Sequence, residues 1–92
     1  MDSLPPNFDW ADAATRLVRG ELAREKLTLA ELAQRLRALG LEETEGSVKN
    51  KLHRGTFSAA FLLQCLAALD RTRLDVDSLL PKAMPRGRDL DA

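Results

Sequence analysis

The chain has 92 residues, of which 45% are hydrophobic, 30% charged and only 4% aromatic. That balance excludes an intrinsically disordered chain and fits one small globular domain, burying roughly 60–65% of the surface its unfolded form exposes. Formal net charge is zero, which excludes a uniformly basic nucleic-acid coat, so any such role must rest on a local cluster.

Residues 1–8, "MDSLPPNF", hold two prolines and read as a loose lead-in. They lack a charged n-region and an apolar h-region, so no secretory signal is expected there. Residues 9–80 are expected to form a single helical domain, and 81–92, "PKAMPRGRDLDA", a flexible tail.

Asp9 is the expected N-cap for a first helix running from Trp10 to about Lys26. Its apolar side is Trp10, Ala14, Leu17, Val18 and Leu22, at helical spacing. Glu21 falls inside that arc, and a carboxylate there needs a partner. Arg54 is the expected partner, with Lys51 as the alternative. Trp10 is expected to close one end of the bundle against the fourth helix.

Thr28 caps a second helix, and Glu31 completes a capping box. Leu29, Leu32, Ala33, Leu36 and Leu39 recur at helical intervals. Gly40 sits where the chain must leave the helix with positive φ. After "LEETEGS", Thr44 caps a third helix that ends at Arg54, before Gly55. Ser58 caps a fourth, "AAFLLQCLAAL", which carries no charge and should be the most buried. "LDVDSLLP" offers one more short turn or helix. No strand is expected. The fold class is therefore all-α, a bundle of four to five helices.

The third helix carries the chemistry. With Val48 inward and 100° per residue, Leu52 also faces the core. Ser47, Asn50, His53 and Arg54 point outward, and Lys49 and Lys51 lie on the flanks. Asn can pair with adenine bidentately, Arg with guanine, and lysines can neutralise phosphates. Double-stranded DNA is the partner those side chains suit. The competing reading is that this is the solvated side of a small bundle.

Other chemistries find no support. The only His and Cys are His53 and Cys65. Cys65 lies in the least polar helix, where a thiol is normally inert packing. Ligand-type residues at metal-binding spacing and a Gly-rich phosphate loop are both lacking. No enzyme, cofactor or metal is expected. One cysteine cannot form an internal disulfide, which suits a reducing cytoplasm. No segment reaches the roughly 18 apolar residues that a membrane helix needs.

The runs "LTLAELAQRLRALG", "TEGSVKNKLHRG" and "SAAFLLQCLAALD" resemble the Cro/CI-like (lambda-repressor-like) helix-turn-helix family of bacterial and phage repressors. In that likeness Thr28 to Ala33 begins the family's second helix, and Val48 and Leu52 are the inward residues of its recognition helix. The Ala33-to-Val48 interval is longer than the Cro-like pattern has. Trp10, "RGELAREKLTLAELAQRL" and "ETEGSVKNKLHRGTFSAAFLLQCLAAL" together resemble a family of small bacterial proteins named only as a domain of unknown function.

What the Cro/CI-like resemblance implies is a small transcriptional regulator or DNA-associated accessory protein. Glu42, Glu43 and Glu45 crowd the third helix's N-terminus and would meet the negative field of the phosphates. The alternative is a non-catalytic protein-interaction module on the same fold. Its docking face would be Phe57, Phe61, Cys65 and Ala68, on the side of the fourth helix opposite Leu62, Leu66 and Leu69. That face would hold a homodimer or a larger protein partner.

Overall fold

A computed structural model describes residues 7–74 and 76–81. Four α-helices follow one another: α1 (Trp10–Glu25), α2 (Leu29–Ala38), α3 (Glu45–Arg54) and α4 (Ala59–Ala68). A short 3₁₀ turn, Asp77–Leu79, packs on α1. The described residues contain no strand. No described helix is long and apolar enough to cross a membrane. Most of the lead-in and residues 82–92 of the expected tail lie outside the described residues.

Each helix starts at a residue whose side chain accepts from an orphan backbone N–H. Asp9 accepts from Asp12, Thr28 from Glu31, Thr44 from Ser47 and Ser58 from Phe61. Thr28 and Glu31 form the reciprocal capping box. A second box, Thr44 with Ser47, uses a serine hydroxyl in place of the usual carboxylate.

Three helices end in the same Schellman device. Lys26, Gly40 and Asp70 each take positive φ. The next residue, Leu27, Leu41 or Arg71, donates back to Leu22, Leu36 or Leu66 respectively. Leu27 and Leu41 thereby fold onto the core.

α3 ends differently, at Gly55 with φ 69° and one bond back to Lys51. A Cβ there would lie 2.2 Å from the Ala11 carbonyl oxygen. The chain therefore reverses against the first turn of α1. Thr15 Oγ1 donates to the Leu52 carbonyl and pins the same two helices.

The core is built from all four helices: Val18 and Leu22, then Leu32, Ala33 and Leu36, then Val48 and Leu52, then Phe61, Cys65 and Leu69. Arg37 donates to the Glu43 carbonyl and Arg35 to the Ala68 carbonyl, tying the α2–α3 connection and the α4 C-terminus to α2.

The structure corrects three sequence expectations. Glu21, 4% exposed, does not meet Arg54. Its Oε1 lies 2.6 Å from Arg71 Nε, with Arg24 at 3.9 Å. The Arg71 contact is ionic, because neither atom is aligned for a hydrogen bond. Arg71 also reaches Glu25 at 3.7 Å. The cause is the Schellman turn after α4, which throws Arg71 back across α1.

Trp10 does not close the bundle against α4. It is 50% exposed and meets Phe8 edge-on at 4.6 Å. As the first residue of α1, its side chain leans past the helix N-terminus, away from the core. It lines an apolar concavity with Ala13, Leu17, Val76, Leu79 and Leu80.

α4 is one-sided rather than buried all round. Leu63 is 66% exposed, and Ala59, Ala60 and Ala67 are exposed with it.

Candidate functional site

The outward side of α3 divides into two groups. Lys49, Asn50, His53 and Arg54 are exposed. None of the three cationic-type residues holds an ion pair among the described residues, and the Asn50 side chain makes no hydrogen bond there. Lys49 and His53, and Asn50 and Arg54, stand one turn apart, so the four share a continuous surface.

Ser47 and Lys51 belong to a different structure. Both are half-buried and both bind Glu43. Ser47 Oγ donates to Glu43 Oε1 at 2.6 Å, and Lys51 Nζ donates to Oε2 at 2.5 Å. The Lys51 ammonium also sits over the Phe61 ring, 4.8 Å from its centre. Its charge is committed inward.

Burial pushes the Glu43 carboxyl up, but the Lys51 and Ser47 hydrogen bonds and the Lys51 charge outweigh it. The group is held below its ordinary range. Glu43 is thus an internal acceptor, and of the acids near the α3 N-terminus only Glu42 and Glu45 are exposed.

The expected docking face on α4 is turned inward. Phe61 and Cys65 are core residues, and Phe57 and Ala68 pack against that core. Phe57 and Phe61 meet edge-to-face at 5.4 Å. The apolar side left in water is instead Ala59, Ala60, Leu63 and Ala67. Burial raises the Cys65 thiol to about 12, with the Glu43 charge adding and Lys51 partly offsetting. Such a thiol is packing, not a nucleophile.

Beside the exposed α3 group runs a groove against α1, lined by Asp9, Asp12, Thr15, Arg19, His53 and Arg54. Arg19 is exposed and without an ion-pair partner among the described residues. The spacing of Arg19 is a usable sequence signal. Ala11, Thr15 and Arg19 recur every four residues, and the first two touch the end of α3.

Residues 10–74 match the model of a family described as Domain of unknown function (DUF6471). The chain belongs to that family. No curated protein and no solved structure matches it. The family's span takes in all four helices, both helices lining the groove, and Arg71, the partner of Glu21. The 3₁₀ turn falls outside it.

Proposed function

We propose that this chain is a small bacterial, cytoplasmic DNA-binding protein. In this reading α2 and α3 form a Cro/CI-like helix-turn-helix, and the protein acts as a transcriptional regulator or DNA-associated accessory factor without a cofactor. The observation that supports it is the exposed group Lys49, Asn50, His53 and Arg54 on one side of α3, unpaired among the described residues. Asn50 offers a donor and an acceptor to an adenine edge, Arg54 a fork to guanine, and Lys49 a point charge to phosphate. Ser47 and Lys51 drop out of the contact set, because Glu43 holds both. Selection of bound duplexes from a random pool at about 50 mM salt tests the reading. Enrichment of a common motif is expected. Failure of the wild-type protein to bind any duplex at micromolar concentration removes it, since non-specific contacts alone have dissociation constants of roughly 1–100 µM.

A second reading, a non-catalytic interaction module, draws on the uncharged exposed side of α4 around Leu63. A face without charge can meet its own copy without like-charge repulsion. A concentration-dependent dimer abolished by Leu63→Glu, with no DNA affinity, would favour it.

A further inference from the structure

We infer that the DNA-facing surface extends from α3 across the groove onto α1, with Arg19 gripping a backbone phosphate. The inference rests on the DNA-binding reading above. The N-terminal end of α3 carries two exposed carboxylates, Glu42 and Glu45. Phosphates approaching that end meet like charge. The exposed basic residues lie further along, and the C-terminal pair, His53 and Arg54, faces α1 across the groove.

On the α1 side Asp12 is paired with a cation, and Asp9 caps the helix ten positions before Arg19. Asp9 Oδ1 caps α1 by accepting from the Asp12 backbone, and Asp12 Oδ2 holds Arg16 Nε at 2.9 Å. Thr15 is tied to the Leu52 carbonyl. Arg19 remains, exposed and unpaired among the described residues, on the same groove as Arg54. A guanidinium there can bind a phosphodiester oxygen pair with its planar fork, while Arg54 stands across the groove. The α1–α3 contact is rigid, because Gly55 and Thr15 lock the two helices together. Arg19 therefore keeps a fixed place beside α3, as a backbone contact must if it is to set register.

The test measures affinity for duplex DNA by fluorescence anisotropy from about 50 to 200 mM salt, for wild type, Arg19→Ala, Arg19→Lys and Lys49→Ala. One lost phosphate contact lowers the salt slope by about 0.9. It also lowers affinity at about 0.1 M salt by about eightfold, the factor that one counterion release supplies relative to 1 M. Arg19→Ala should show both changes with an unaltered melting temperature, and Arg19→Lys should keep the wild-type slope. If Arg19→Ala keeps the slope while Lys49→Ala lowers it, the DNA surface stops at α3 and the inference fails alone. If wild-type protein binds no duplex, the DNA-binding reading fails and takes Arg19 with it. A parallel NMR titration uses inorganic phosphate. Signals of His53 and Arg54 that move with phosphate but not with DNA would assign the groove to a small anion and overturn the proposal.

Discussion

Lys51 Nζ lies 2.5 Å from Glu43 Oε2, joining the last turn of α3 to the loop that precedes the helix. The carboxylate is buried and the ammonium half-buried. With Ser47 on the other oxygen, the Glu43 side chain fixes the entry of α3 from inside.

Glu43→Gln should cost about 1–2 kcal/mol. A hydrogen bond to a charged group contributes about 1.5–3 kcal/mol, discounted because Lys51 can return to water. The pH dependence has a definite sign. Glu43's carboxyl is held lower in the folded state than in the unfolded chain. Its contribution is therefore present above the unfolded value of about 4.3 and is lost as pH falls through the folded value. Wild type and Glu43→Gln should differ in melting temperature at pH 7, and the gap should begin to close only below the unfolded value of about 4.3. A gap that stays constant from pH 7 to pH 3 would contradict this account.

Glu21 and Arg71 should show the asymmetry of a buried pair. Arg71→Met strands a carboxylate that is 4% exposed, with only the distant Arg24 left nearby. It should cost on the order of 2–3 kcal/mol, less than the full penalty for a broken buried pair because Arg24 remains. Replacing both partners, Glu21→Met with Arg71→Met, should recover most of that loss. Urea unfolding of the four proteins in a double-mutant cycle measures it. A coupling below about 0.5 kcal/mol would mean the two residues act independently.

Gly55 and Gly40 both have positive φ, yet they should respond differently to alanine. Gly40→Ala meets open space and only the strain of left-handed backbone, about 1 kcal/mol. Gly55→Ala adds a collision with the Ala11 backbone, which cannot swing aside as a side chain would. It should lose more than about 2 kcal/mol and loosen the α1–α3 contact. Equal melting temperatures for the two variants would show that the close approach is not rigid.

Local chemistry made the helices legible. Asp9, Thr28, Thr44 and Ser58 each cap within three residues, and Gly40 and Gly55 end helices within one turn, so neighbours suffice to read them. Val48 and Leu52 face inward because α3 is polar on its other sides. α4 has no such contrast. Without a polar face its rotation is set by the shape of the cavity, which put Phe61 and Cys65 in the core and Leu63 in water. The partners of Glu21 and Lys51 were hidden for another reason. Arg71 arrives through a chain reversal after α4, and Glu43 reaches Lys51 across the cap of α3. The Arg71 contact leaves no periodic trace, whereas Glu43, Ser47 and Lys51 do recur every four residues, but Glu43 lies before the cap, outside the helix that such spacing reads. Glu43 itself looked like one of three surface acids, and only its burial separates it from Glu42 and Glu45.

The division of α3 into exposed and committed residues makes the DNA-binding reading sharp. Asn50 can satisfy adenine's N6 and N7 together, so Asn50→Ala should relax preference at one or two base pairs. The loss on the best site should be about 1–3 kcal/mol, with little change on random DNA. Lys49→Ala should weaken every sequence alike and lower the salt slope by about one unit. Lys51→Ala should do neither. Its ammonium already serves Glu43, so removal should lower the melting temperature and leave the slope unchanged. Glu42→Gln should strengthen binding to any duplex by removing an exposed charge opposed to the phosphates. Anisotropy titrations on one selected and one random duplex, at matched salt, separate these outcomes. Should Lys51→Ala lower the slope as much as Lys49→Ala, Glu43 must release Lys51 on binding, and the inward commitment of that lysine would be wrong for the complex.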